Sequence, residues 1–123
     1  MMTDDSAISN PPLNSTDIEN LQIITSGELP PNPADLLSGQ RMNEIIGVLK
    51  ARADSILFDS PPVLAATDAA LLGIKLDGAL IAVRAGDTRR DHTAQAREAL
   101  ERIHVRIVGA VLTNAPHENK IAY

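Results

Sequence analysis

The sequence predicts an α/β fold, a partial doubly wound and mainly parallel sheet of about four strands with three helices. Three observations lead there. Short apolar runs alternate with amphipathic stretches at the spacing of strand–helix units, which calls for right-handed crossovers. The run Gly78-Ala79-Leu80-Ile81-Ala82-Val83 is continuously apolar, as in parallel strands covered on both faces. Finally, 123 residues suffice for one small core but not two. Phe58 and Tyr123 are the only aromatic residues, so that core must be built from Leu, Ile, Val and Ala.

Residues 1–20 read as a flexible acidic tail, rich in Ser, Asn, Thr and Asp and broken by Pro11-Pro12. Every charge before Arg41 is negative, which suits a solvated leader or an acidic docking tail. Leu21-Gln22-Ile23-Ile24-Thr25 is the first expected strand and opens the α/β domain, residues 21–115. Gly27 to Pro33 then breaks the chain with turn residues. A helix should begin with Asn32 as N-cap and Pro33 at the first position, where a missing N–H costs nothing. Asp35 suits the positive end of its dipole. Met42, Ile45, Ile46 and Leu49 follow at i, i+3, i+4 and i+7 as one core-facing stripe.

Ser55-Ile56-Leu57-Phe58-Asp59 is the second expected strand, stopped by Pro61-Pro62. A short helix from about Thr67 to Lys75, capped by Thr67, leads to the third strand at 78–83. A longer helix from about Arg89 to Ile103 has Thr88 as candidate cap and Ala96, Leu100 and Ile103 facing inward. Ile107 to Leu112 is the last strand, ending at Thr113-Asn114, and residues 116–123 form a C-terminal tail.

The net charge of −5 lacks the phosphate-neutralising excess of a nucleic-acid binder or a basic membrane-surface protein. Scarce aromatics exclude a base-stacking RNA surface. No cysteine is present, so disulfides, thiolate zinc sites and thiol nucleophiles are excluded. No secretory leader is expected from the acidic, polar first twenty residues, and no apolar run approaches the ~20 residues of a membrane span. His92, His104 and His117 lack metal-ligand spacing, and Ser60 has no evident base.

The chemistry concentrates at Asp59. An aspartate at the carboxyl end of an apolar strand lies where open α/β sheets bind ligands. In nucleotide-binding sheets this is the Walker B arrangement, whose carboxylate holds magnesium, often through water, beside the phosphates. The same residue also serves commonly as a helix or turn cap.

Several stretches together are more specific. Leu29-Pro-Pro-Asn-Pro-Ala-Asp-Leu-Leu37, Ile56-Leu-Phe-Asp-Ser-Pro-Pro-Val63, Thr67-Asp68-Ala69, Asp77-Gly-Ala-Leu-Ile-Ala-Val-Arg84 and Val108-Gly-Ala-Val-Leu-Thr-Asn114 follow one another in order. The chain thereby resembles the C-terminal half of the bacterial tyrosine autokinases of capsule and exopolysaccharide synthesis, P-loop proteins related to the MinD and ParA ATPases. The resemblance covers residues 21–114. It implies a P-loop NTPase type of sheet, a cytoplasmic location at the inner face of the membrane through a partner, and Mg-ATP as cofactor. Asp59 then resembles the catalytic, magnesium-binding Walker B aspartate, and Asn114 the asparagine that reads the adenine edge. Asn114 equally suits a turn closing its strand. Asp68, Asp87 and Thr88 read first as helix-start residues.

The departures are as informative. A phosphate cradle needs Gly-x4-Gly-Lys-Ser/Thr, and here no glycine is followed by lysine. The second aspartate motif and the tyrosine cluster of the family are also absent from this sequence. Tyr123 is the sole tyrosine and the one candidate phosphoacceptor. The chain is therefore expected not to transfer phosphate alone. Three readings remain: a remnant of an autokinase, a docking module for an intact kinase or its membrane chain-length regulator, and a split-kinase half needing a P-loop partner. Because the family interleaves its strands, the sheet should lack neighbours beside Asp59, favouring rearrangement, association with another chain (a homo-oligomer included) or marginal stability. Neither nucleic acid nor direct membrane insertion is expected.

Overall fold

The computed structural model describes residues 4, 6–28 and 30–116. The chain divides into two compact units, Met1–Asp59 and Ser60–Tyr123.

The first unit contains α1 (Ser6–Ser9), β1 (Asn14–Ser15), β2 (Gln22–Ile23), α2 (Pro33–Ser38) and α3 (Gln40–Lys50). The sequence between α1 and β2, read above as tail, folds back as a small antiparallel ladder pairing Asn14 with Ile23 and Ser15 with Gln22. Thr16 holds its connection: the hydroxyl accepts the Ile18 N–H at 3.2 Å and donates to the Leu21 carbonyl at 3.0 Å. The Arg52 guanidinium donates to the Ser9 carbonyl at 2.9 Å, tying α1 to the end of α3. Met42, Ile45, Ile46 and Leu49 form the buried stripe as their spacing requires.

The one long helix expected from Pro33 onward is two helices. Gly39 has extended backbone (φ −68°, ψ 166°), and its N–H donates to the Asp35 carbonyl at 3.1 Å, so it ends α2 and begins α3. The Ser38 hydroxyl donates to the same carbonyl at 3.1 Å, giving that acceptor a second donor at the helix end. A Ser-Gly pair resists the break least, since both residues favour helix ends over interiors. Pro33 occupies the first helical turn as expected, but the Asn32 side chain makes no capping hydrogen bond.

The second unit contains α4 (Asp68–Gly73), β3 (Ala79–Arg84), α5 (Arg90–Arg102) and β4 (Ile107–Thr113). β3 and β4 run parallel, joined by α5, with Leu80 opposite Gly109 and Arg84 opposite Thr113. Leu72, Leu100 and Val105 are its buried hydrophobic residues, and Gly73 is buried too. α5 ends in a Schellman motif. The His104 N–H donates to the Glu101 carbonyl and the Val105 N–H to the Leu100 carbonyl, both at 3.0 Å, while His104 takes φ 63°. Leu100 and Val105, the two positions whose apolar side chains accompany this motif, are both buried, so the cap lies at the core.

The α/β class stands, but the four expected strands differ in detail. Residues 55–59 form no strand, because a strand exists only by pairing and no described backbone ladders with this segment. β3 is not covered on both faces: with a single neighbour it alternates half-buried and exposed residues, Leu80 being 49% exposed. Ile103, expected inward, is instead 40% exposed because α5 has already ended. Thr67 and Thr88 do not cap their helices. No helix among the described residues is long and apolar enough to cross a membrane.

Candidate functional site

Asp59 is the last residue of the first unit. It is exposed, and its carboxylate makes no hydrogen bond or ion pair among the described residues. The apolar segment leading to it is partly in solvent, with Leu57 86% exposed and Ile56 and Phe58 half-buried. Beyond it the Ser60 hydroxyl donates to the Pro61 carbonyl at 3.3 Å, and Pro62 opens a turn whose carbonyl accepts the Ala65 and Ala66 N–H groups. Asp59 thus ends in the geometry of a free carboxylate rather than that of a cap, which would accept nearby backbone N–H groups.

Asn114 belongs to the second unit, at the carboxyl ends of the two parallel strands. Here the chain is closely tied. The Ala85 N–H donates to the Thr113 carbonyl at 2.9 Å, and the Thr113 hydroxyl to the Val83 carbonyl at 3.4 Å. The Asn114 side-chain amide donates to the Ala85 carbonyl at 3.4 Å, and its own backbone sits at φ 55°. Asn tolerates this left-handed conformation better than most residues, so the strand-closing role is met and the side-chain oxygen is left over. The adjoining turn is locked by Thr88, whose hydroxyl accepts the Arg84 N–H at 3.0 Å and whose own N–H donates to the Arg84 carbonyl at 2.9 Å. Gly86 supplies the positive φ of 79° that this turn needs. Thr88 therefore holds the strand-to-helix turn instead of capping α5. Sequence pattern could not distinguish the two, since both use a threonine just before a helix.

The basic face of α5 is largely internally satisfied. Arg89 pairs with Asp91 at 2.9 Å, Arg97 with Glu101 at 2.7 Å and Arg102 with Glu98 at 2.8 Å. The Arg89 guanidinium holds the Asp91 carboxyl below the usual carboxylate range, and the Glu101 carboxylate raises the Arg97 guanidinium. All six groups are exposed, so these pairs add little stability. Asp68 stands in the first turn of α4, as its helix-start reading expected. Tyr123 and His117 lie outside the described residues.

One feature escaped the sequence reading. An open groove of about 540 Å³ is lined by Val63, Leu64, Ala66 and Thr67 from the turn, Ala70 from α4, and Ala99 and Ile103 from the α5 side. Its lining is apolar apart from Thr67 and Asp68, and no periodicity in the turn foreshadowed it. Among the described residues no three His, Asp or Glu side chains gather as a metal site. The residues present therefore offer single donors toward Mg-ATP, a carboxylate at 59 and an amide at 114, without a phosphate cradle. They do not constitute a complete site for it.

No family model matches the chain. Individual proteins do. It is 39% identical over 94 residues to the tyrosine-protein kinase YwqD of Bacillus subtilis strain 168, covering 76% of this chain and 40% of YwqD. It is 32% identical over 108 residues to the tyrosine-protein kinase CpsD of Streptococcus agalactiae, covering 88% of this chain and 47% of CpsD. Against the tyrosine-protein kinase etk of Escherichia coli K12 it is 33% identical over 101 residues, covering 82% of this chain and 14% of etk. Among solved structures, the VpsO kinase domain superposes with a TM-score of 0.77 at 28% identity, over 85% of this chain and 51% of that one. The chimerical protein CapA2B2 gives 0.79 at 28% identity, over 85% and 46%. The chain thus spans about half or less of the length of the relatives and kinase domains it matches.

Proposed function

The chain is a homologue of part of the bacterial tyrosine kinases of capsule and exopolysaccharide synthesis, and on that premise we propose that it carries the Walker B half of such a kinase's nucleotide site. On this reading it transfers no phosphate alone. Asp59 is the carboxylate that would hold magnesium, directly or through water, and Asn114 the amide that would read the adenine edge. Tyr123 is the candidate phosphoacceptor. The process served is the regulation of polysaccharide polymerisation and export, in the cytoplasm at the inner face of the membrane.

The observation that carries this reading is Asp59 itself: an exposed carboxylate with no partner among the described residues, at the end of an apolar segment, in a sequence without Gly-x4-Gly-Lys-Ser/Thr. The Asp59 carboxylate would hold magnesium there, and the ion, when bound, would supply neutralisation of phosphate charge. The protein's own residues contribute a fixed negative charge at 59 and a hydrogen-bonding amide at 114.

A second reading, a docking module for an intact kinase or its chain-length regulator, draws on the exposed apolar side chains Leu80, Val108, Val111 and Leu112 of the β3–β4 sheet. Thermal unfolding with and without millimolar Mg-ATP separates the two questions. A ligand at one hundred times its dissociation constant adds ~2.7 kcal/mol to the native state. The isolated chain is expected to show no shift. A shift that vanishes in Asp59→Ala would overturn the expectation that the half-site is silent alone.

A further inference from the structure

We propose that Thr88 is a positioning residue for Asn114. By locking the turn after β3 it holds the asparagine side chain with its nitrogen end engaged and its oxygen end free, so that this end of the sheet takes a ligand edge bearing an N–H donor. The proposal rests on the reading of Asn114 given above and adds the residue that sets its polarity.

An asparagine amide is ambivalent. A half-turn about Cβ–Cγ exchanges a donor for an acceptor, and at an exposed position such as 114 nothing in the side chain itself chooses between them. Here the Ala85 carbonyl chooses. It has only lone pairs to offer, so the nitrogen end of Asn114 faces it, at 3.4 Å, and Oδ1 is left without a donor among the described residues.

That carbonyl is fixed by its neighbours on both sides. Before it, Thr88 engages both backbone groups of Arg84: its hydroxyl accepts the N–H at 3.0 Å and its own N–H donates to the carbonyl at 2.9 Å. After it, Gly86 turns the chain at φ 79°. The Ala85 N–H is meanwhile held by the Thr113 carbonyl at 2.9 Å. Thr88 is exposed, so its hydroxyl can be removed without opening the core or touching these backbone bonds. Without it the Arg84 N–H loses its acceptor, the turn loosens, and the Ala85 carbonyl no longer dictates which end of Asn114 is free. An exocyclic amino group is the matching ligand edge, and a carbonyl edge would meet lone pairs with lone pairs.

The test is NMR of the isotopically labelled full chain, read at the Asn114 side-chain amide. In the parent, one amide proton should lie downfield and exchange slowly with water. Thr88→Val keeps the shape and removes the acceptor; it should return both protons to free-amide positions and speed their exchange ~10-fold. Thr88→Ser should restore the parent signature. The backbone amides of residues 79–83 report whether the ladder persists in each variant. A second measurement needs no variant. Adenosine, titrated at concentrations too low relative to its affinity to move an unfolding transition, should still shift the Asn114 amide resonances. Purine riboside, which lacks only the 6-amino group, should bind ~10-fold more weakly. In Thr88→Val the two should converge.

A free-amide signature in the parent, no response to Thr88→Val with the ladder intact, or equal binding of the two nucleosides would each overturn the proposal. If Thr88→Val loses the ladder, the parent signature, the Thr88→Ser variant and the nucleoside pair decide. An amide that responds to Thr88 but to neither nucleoside would refute the reading of Asn114 as a base-reading residue and leave Thr88 a structural one, which overturns the proposal from the ligand's side.

Discussion

Gly73 offers a direct check on the packing of the second unit. A methyl group placed there would lie 2.9 and 3.1 Å from the two γ carbons of Val105, a buried side chain. Two effects oppose each other in Gly73→Ala. Alanine in place of a helical glycine gains ~0.5–1 kcal/mol of backbone entropy. Overpacking a well-filled core costs ~1–3 kcal/mol. Val105 is β-branched and stiff, and its backbone is fixed by the hydrogen bond to Leu100, so it has little room to yield. The clash should win by about 1 kcal/mol, lowering Tm by ~4–8 °C for a unit of this size. Val105→Ala alone should cost about 2 kcal/mol, from two buried methyl groups and the space they leave. In the double variant the new methyl occupies part of that space, so its loss should fall short of the sum by ~1–2 kcal/mol. Urea unfolding followed by far-ultraviolet circular dichroism suits a chain without tryptophan. Gly47→Ala is the control, a helical glycine with nothing within 4 Å of the added methyl, and it should stabilise by ~0.5–1 kcal/mol. A Gly73→Ala variant more stable than the parent, or additivity within ~0.5 kcal/mol, would refute the packing described.

Other substitutions test other parts of the molecule. His104→Gly should raise stability by ~1 kcal/mol by relieving a left-handed histidine, while Gly86→Ala should lower it by ~1 kcal/mol by imposing a side chain at φ 79°; denaturant midpoints decide both. Ile46→Ala, in the middle of the α3 stripe, should cost ~2–5 kcal/mol, visible as loss of helical signal at lower temperature. Arg89 lowers the Asp91 carboxyl, so that pair helps the folded state above the ordinary carboxylate pKa of ~4 and is lost as pH falls through the depressed value. Arg89→Ala should return Asp91 toward the ordinary range in a carbon-detected NMR titration, and an unchanged titration would remove the ion pair from the account.

What could be read in advance divides along a physical line. The α3 stripe was legible because helix hydrogen bonds are local, so a 3.6-residue period fixes both the element and its buried face. β3 and β4 were legible as apolar runs, but their exposure was not, because the number of neighbours in a sheet is a property of the rest of the fold. Residues 55–59 make the point most clearly: the pattern of a strand was present and the pairing was not. The end of α5 was hidden for a different reason. His104 stands where a glycine usually marks the Schellman cap, so only the backbone reveals it. At the candidate site the position of Asp59 after an apolar run was legible, and so was the absence of a phosphate cradle. The double attachment of Asn114, through φ and through the Ala85 carbonyl, depends on two strand ends meeting and leaves no trace in composition.

The parallel ladder of the second unit also governs how it forms. Ala79 faces Ile107 and Arg84 faces Thr113, so every rung joins residues about 29 apart in the chain. Closing a flexible loop of that length costs about 3 kcal/mol in chain entropy, and that cost falls wholly on whichever rung forms first. Each later rung closes no new loop. A half-zipped sheet is therefore the least populated arrangement, and early winding of α5 shortens the span that the first rung must bridge. Helix-favouring substitutions on the solvent face of α5 should accordingly speed folding, whereas changes in the ladder beyond its first rung should act mainly on unfolding.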